Sequence, residues 1–343
     1  MKDFLIFCEG SPIVDFMAYV IPVASGKGGV GKTIFSANLG VALARFGKTV
    51  ILADLDLGAS NLHTCLGIRN NHAGIGSFVT GMSQSLEELV TETSEPRLYL
   101  ISGDGLVPGV ANLPYFRKAR LIKQLDLLVA DFVILDLGAG SAYNTVDFFL
   151  ASPHGIVVTT SETTAILNAY SFLKTTLYRL LYRSFPARSA ERMIIGDFVN
   201  GRIEGADVSF RTLVERLSAH DESSAQTAAN HLSAFRPSVV LNMARNTTDL
   251  GLGGKLRQIV KRNLSVDVEY VGLLPYDSAV GDALNRQITV ASAHPESPFS
   301  QALNAVAKSL MRGRPTASIQ LYLDDEDLHG LAKFLPSDRG DEA

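Results

Sequence analysis

Ser25-Gly26-Lys27-Gly28-Gly29-Val30-Gly31-Lys32-Thr33 is the stretch on which the reading of this chain turns. From Gly26 to Thr33 it satisfies G-x-x-x-x-G-K-(S/T), the pattern of a loop whose glycines let successive backbone N–H groups curl around an anion. The run before it, Ala18-Tyr19-Val20-Ile21-Pro22-Val23-Ala24, reads as a buried strand. The run after it, Lys32 to Arg45, reads as a helix that stops near Gly47. A helix N-terminus adds its dipole to the nest, so strand, loop and helix together form the setting that phosphate binding needs. At average residue frequencies the four fixed positions meet by chance, in a chain this long, on the order of 1% of the time. Lys32 is placed to reach β- and γ-phosphate oxygens, and the Thr33 hydroxyl to ligate Mg²⁺.

Outward from the loop, short apolar runs alternate with helical patterns. Candidate strands are 20–24, 49–54, 98–102, 132–136, 155–160, 238–242 and 268–274. This alternation predicts an α/β fold, a mostly parallel doubly wound sheet with helices on both faces. Over 164–182, Ile166, Leu167, Tyr170, Leu173, Leu177, Leu180 and Leu181 recur at three and four, which predicts a helix with a buried stripe. Between about 183 and 236 the strand rhythm breaks, with helical spacing around 210–217 and 225–235. That segment is expected to be a helical insertion in a P-loop domain spanning 17–313. A further amphipathic helix is expected over 300–311, stopped by Gly313 and Pro315. Residues 1–16, ahead of Met17, are expected to be a loose extension. Residues 314–343 are expected to form an acidic tail, in which Asp324-Asp325-Glu326-Asp327 precedes Leu328, Leu331, Phe334 and Leu335, either solvated or folded as a small packed helix.

With 343 residues, 46% of them hydrophobic, the chain can bury a large core. A formal charge of −4 supplies no broad basic field, so composition does not indicate nucleic-acid binding, although a local patch stays open. Cys8 and Cys65 form no C-x-x-C pair, which argues against a disulfide scaffold, a zinc site or an iron–sulphur carrier and fits a reducing cytoplasm. The apolar stretch 4–23 is broken by Glu9, Gly10, Pro12, Asp15 and Pro22, so it predicts neither a membrane span nor a signal peptide. The tail is acidic where a membrane-surface helix would be basic, which argues against attachment through it. A cytoplasmic, soluble protein is expected.

Two further acidic stretches complete the chemistry. In Asp54-Leu55-Asp56-Leu57-Gly58-Ala59-Ser60-Asn61-Leu62 the acids stand two apart, so on an extended strand end they share a direction. Phe132-Val133-Ile134-Leu135-Asp136-Leu137-Gly138-Ala139-Gly140 is an apolar strand that ends in an acid and a glycine turn. It predicts Asp136 as a magnesium-side carboxylate acting through a metal-bound water, with the Gly138 N–H available to a γ-phosphate.

With Lys27 ahead of Lys32, the loop reads K-G-G-x-G-K-T, and here the chain resembles the MinD/ParA group of deviant P-loop ATPases. The resemblance implies that Gly26, Gly28, Gly29, Val30, Gly31, Lys32, Thr33 and Ile34 surround the phosphates of ATP. It implies that Lys27 crosses a face-to-face homodimer to the partner's nucleotide. It further implies that Asp56 positions the attacking water and Asp54 serves the Mg²⁺ hydration shell, a split that the residues alone leave reversible. Asn242, at a strand end, and Pro275 and Asp277 of Pro275-Tyr276-Asp277 match positions that read the adenine. The D-x-G-A-G form of the second switch and Thr160-Ser161-Glu162-Thr163-Thr164-Ala165-Ile166 look most like the flagellar-number regulators of the FlhG/FleN type. Ile34 stands where that loop usually has a second threonine, and Ser161 where those proteins usually have proline. The function so implied is a slowly hydrolysing, Mg²⁺-dependent ATPase. It would work as a nucleotide-switched dimer with a regulatory protein partner, in placing or counting a cellular structure. A ParA-like segregation ATPase and an ATP-binding scaffold with little turnover are the alternatives.

Overall fold

The apolar run ahead of the glycine loop is β1 (Tyr19–Ser25), the middle strand of a sheet that fixes everything else. The structure is a computed structural model, and it describes residues 18–70, 73–103, 113–203, 209–312 and 326–335. The other strands are β2 (Val50–Leu55), β3 (Thr91–Glu92), β4 (Leu98–Ile101), β5 (Phe132–Ala139), β6 (Ile156–Thr160), β7 (Ser238–Ala244) and β8 (Glu269–Pro275). Their order is β3-β4-β2-β5-β1-β6-β7-β8, parallel throughout except where β3 runs antiparallel to β4. The seven strands expected from the sequence are all present. The two-residue β3 is the addition, too short for an alternation to register.

The helices are α1 (Lys32–Arg45), α2 (Leu62–Cys65), α3 (Ile75–Thr80), α4 (Tyr115–Leu125), α5 (Tyr143–Phe149), α6 (Thr163–Arg183) and α7 (Ala190–Ile203). They continue with α8 (Phe210–His220), α9 (Glu222–Ala234), α10 (Thr248–Leu264), α11 (Ser278–Asn285), α12 (Val290–Ala293), α13 (Pro298–Met311) and α14 (Glu326–Leu331). Strands buried on both sides need cover on both sides. One apolar cluster joins α1, α12 and α13 to the sheet through Phe35, Leu39, Leu43, Val290, Phe299 and Leu303. The opposite cluster is built mainly by α3 to α10, with Phe78, Leu121, Phe148, Leu177, Phe210 and Leu256 buried in it. Helix α1 stops where expected: Gly47 takes φ +84°, its N–H bonds to the Ala44 carbonyl, and the Lys48 N–H reaches back to Leu43.

In α6 the stripe holds at Ile166, Leu173, Leu177 and Leu181, but Leu167 departs from it and is 51% exposed. It sits one position off the buried row, at the solvent side of the first turn. The stretch 183–236 is helical where described, with α7 in addition to the two helices foreseen. Its Phe198 and Phe210 rings pack about Tyr178 of α6.

Two polar devices hold the periphery. Asp147 of α5, only 2% exposed, accepts from Arg179 Nε at 2.7 Å and Nη2 at 3.0 Å and from Arg183 at 3.4 Å, and pairs with Lys118 of α4. Burial alone would raise its pKa, but the bonds from Arg179 and Lys118 outweigh that and hold the carboxyl below its ordinary value. At the far edge of the sheet, α14 lies on β8. Leu328 is fully buried, and Asp327 pairs with Arg257 and accepts the Tyr270 N–H at 3.0 Å. The described part of the tail is thus a small packed helix; residues 1–16 and most of 314–343 lie outside the described residues. Among the described residues, no helix is long and apolar enough to cross a membrane.

Candidate nucleotide-binding site

Parallel strands carry their C-terminal ends to one edge, and β1, β5 and β2 are neighbours there. The loop, the second switch and the first switch therefore converge although they are up to a hundred residues apart in sequence. Gly29 and Gly31 both adopt φ +82°, the left-handed conformation that turns backbone N–H groups inward. A Cβ on Gly31 would lie 2.3 Å from Asn242 Nδ2, and one on Gly26 would run into the Asn168 backbone of α6 at 2.2 Å. Gly31 thus serves both curvature and close approach, and Gly26 close approach. Asn242, on β7, donates from Nδ2 to the Val30 carbonyl at 2.9 Å, so its amide buttresses the loop from behind.

Lys32 is 7% exposed and donates to Asp136 Oδ1 at 2.8 Å. Ser36, one turn further along α1, donates to the same oxygen at 2.9 Å. Asp54 and Asp136 stand in register on adjacent strands, each 1% exposed. Burial, and then the Asp136 charge, push the Asp54 carboxyl up to about 6. Its oxygens are in use: Oδ1 accepts the Asp56 N–H at 3.1 Å, and Oδ2 accepts Ser60 Oγ at 2.6 Å and the Leu62 N–H at 3.1 Å. Strand β2 ends at Leu55, and Asp56 turns toward the second switch, where a Cβ on Gly138 would lie 3.4 Å from its Oδ1. The second switch is tied to the loop by the Gly140 N–H, which donates to the Ser25 carbonyl at 2.9 Å.

These donors fit magnesium and a polyphosphate. Two buried carboxylates side by side, only one of them paired with a lysine, call for more positive charge, and a divalent ion with oxygen ligands would supply it. The hydroxyl of Thr33 lies 3.4 Å from Lys32 Nζ, on the same side. Lys27 donates to Glu162 Oε2 at 2.6 Å and to Thr164 Oγ1 at 3.2 Å, both at the start of α6. Asp277 caps α11 through the Ala279 N–H at 2.9 Å and accepts the Phe299 N–H at 3.2 Å, so its carboxylate shapes the turn after Pro275. Beside it, the Tyr276 ring lies under Arg245 at 5.0 Å.

Four residues of this site escaped the sequence: Ser36, Ser60, Glu162 and Thr164. Ser36 had a signal, standing four residues after Lys32 on the same helix. Ser60 bends back to Asp54 within one loop, and Glu162 and Thr164 are brought in by tertiary contacts.

The CobQ/CobB/MinD/ParA nucleotide binding domain model matches residues 21–290. Antiactivator FleN of Pseudomonas aeruginosa is 28% identical over 321 residues, 89% of this chain and 92% of that protein. Flagellum site-determining protein YlxH of Helicobacter pylori is 36% identical over 159 residues, 45% of this chain and 52% of that one, so this chain spans about half of its length. The fold is that of the septum site-determining protein MinD complexed with Mg-ADP from Pyrococcus horikoshii, with a TM-score of 0.59 at 20% identity over 87% of this chain and 98% of that one. With its glycine loop, two buried strand-end carboxylates and paired lysines assembled at one sheet edge, the chain belongs to the CobQ/CobB/MinD/ParA family of nucleotide-binding proteins.

Proposed function

We propose that this protein is an ATP-switched, Mg²⁺-dependent ATPase that closes as a homodimer and regulates the placement or number of a cellular structure, the flagellum before the septum. The observation that carries the reading is the junction of Lys32, Asp136, Asp54 and Asp56 on three adjacent strand ends behind the glycine loop. Lys32 and the loop N–H groups would hold the β- and γ-phosphates. Thr33, Asp54 and Asp136 would form the metal side, Asp136 through a bound water. Mg²⁺ held there would neutralise the charge that develops on the phosphates. Asp56, beside Gly138, would accept a hydrogen bond from the attacking water, and the Gly138 N–H would steady a γ-phosphate oxygen. Pro275 and Asn242 would flank the adenine, with Asp277 fixing the turn. To serve a second copy, Lys27 must exchange Glu162 and Thr164 for the partner's phosphates, which makes dimer closure a competition between a local ion pair and a nucleotide.

Likeness to FleN along most of both chains supports the flagellar reading over segregation of DNA or cargo. The biochemical test is light scattering and turnover of Asp56→Ala with ATP and with ADP. The variant should dimerise with ATP and lose turnover by roughly 10²–10⁴-fold. Lys32→Ala should lose nucleotide binding. Normal turnover in the Asp56 variant would overturn the water-positioning role. Unchanged flagellar number and placement after gene deletion in the native host would overturn the flagellar one.

A further inference from the structure

On the flank formed by α5, α6 and α7, away from the glycine loop, lies a groove of about 690 Å³. Tyr143, Tyr178, Tyr182 and Val199 give it an apolar lining over the fully buried Val146 and Ile195. Arginines and tyrosines alternate along this side: Arg179 lies over Tyr143 at 5.1 Å, Arg183 over Tyr115 at 5.8 Å and Arg192 over Tyr182 at 4.7 Å. Tyr143 is 71% exposed and Tyr115 65%, a large aromatic area to leave in water.

The groove is locally cationic on a chain whose net charge is −4. Helix α6 carries Lys174, Arg179 and Arg183 and not one acid over its whole length. Lys174 and Arg179 line the groove and, among the described residues, no carboxylate does. Asp147 lies beneath, buried and shared among three cations, so it cannot neutralise them all.

Gly196 is an independent pointer. It stands inside α7, where glycine costs about 1 kcal/mol relative to alanine. Its φ is not positive, and a Cβ there would meet nothing within 4 Å. Neither backbone nor packing asks for glycine; what its small size preserves is open space in the groove that it lines.

We propose that this groove docks an amphipathic helix of a partner protein, with apolar residues at three- and four-residue spacing facing Val199 and the tyrosine rings and with Asp or Glu along its flanks. A helix laid in a groove is a recurrent mode of recognition, and an acidic one matches the charge found here. Interleaved aromatic and basic residues also suit single-stranded nucleic acid, but Lys174 and Arg179 alone are too few in the groove to follow a phosphate backbone.

The test is to pan a library of short random peptides on the full chain without nucleotide, so that the outcome stands apart from the ATPase reading. Enriched peptides should be net acidic and helically amphipathic. They should bind Gly196→Trp at least roughly 10-fold more weakly, while Gly196→Ala, with its small methyl, keeps most of the affinity. Melting temperature and ATP binding of both variants should match the parent. Should Gly196→Trp melt early, Lys174→Glu carries the same test, weakening acidic peptides and sparing versions with Gln in place of Glu. Failure to enrich any peptide, neutral or basic winners, or equal affinity for the plugged groove would overturn the proposal. So would a short fluorescent DNA strand that binds the parent and is lost with Gly196→Trp, since it would assign the groove to nucleic acid.

Discussion

At the scale of single residues, Gly31 and Asp54 are the positions where the loop's chemistry is most constrained. Gly31 meets two demands, a left-handed φ of +82° and a gap that Asn242 fills. Gly31→Ala should therefore lose roughly 1–3 kcal/mol and bind nucleotide poorly. In Gly31→Ala/Asn242→Ala the clash is relieved but the φ strain remains, so thermal melting should recover only in part. Full recovery would show that the backbone strain was absent. Asp54 is held in a folded state that prefers it protonated, its pKa raised from 3.8 to about 6. The sign follows from linkage: a raised acid costs the folded state increasingly as pH climbs from 3.8 to about 6, and the cost persists above that range. Asp54→Asn should then raise stability at pH 7, by at most about 3 kcal/mol, and the gain should shrink below pH 4. It should simultaneously weaken Mg²⁺-dependent nucleotide binding. Urea denaturation at the two pH values, beside nucleotide titration with and without Mg²⁺, measures both halves.

At the scale of elements, the hub on α5 is the feature with the largest single stake. Asp147→Asn leaves Lys118, Arg179 and Arg183 around a neutral amide, and breaking a buried pair of this kind costs roughly 3–5 kcal/mol. Because the folded pKa of Asp147 lies below its ordinary value of 3.8, its contribution is complete above that value and is lost as pH falls through the lower one. Parent stability should therefore drop in acid along a limb that Asp147→Asn lacks; identical acid limbs would remove the carboxylate from this role. The same scale shows what could be read from the chain beforehand. Strands such as β5 and β7 are uninterrupted apolar runs that end in Asp136 or pass through Asn242, so both their existence and the polar residue near their ends were visible locally. The glycine loop was visible because phosphate binding there uses consecutive residues. Helix α7 was obscured by Gly196 and by Arg192 and Asp197 among its apolar positions. Glu162 was obscured because its partner, Lys27, is brought to it by the packing of whole elements against one another, and Ser60 because only the bend of its own loop returns it to Asp54.

At the scale of the whole molecule, both ends of the sheet need protection. On one side the antiparallel β3 closes the row; on the other, Asp327 takes an N–H of the edge strand β8 while Leu328 packs over Gly253, whose absent Cβ leaves the room. Leu328→Ala should cost about 2–5 kcal/mol, and detachment of α14 should expose β8 as a template for other chains. Aggregation that rises with protein concentration, followed by turbidity near the melting point, checks this; a variant as soluble as the parent would show that α14 is dispensable. The hub has a consequence at this scale too. Only Ser141 and Ala142 separate Gly140, at the glycine turn, from α5, and α5 grips α4 and α6 through one carboxylate. The loop that carries Gly138 is thus the short arm of a lever whose long arm is three helices wide. A small shift at Gly138 would be felt first on the tyrosine-lined flank, and last on the opposite face, where α13 has no share in the linkage.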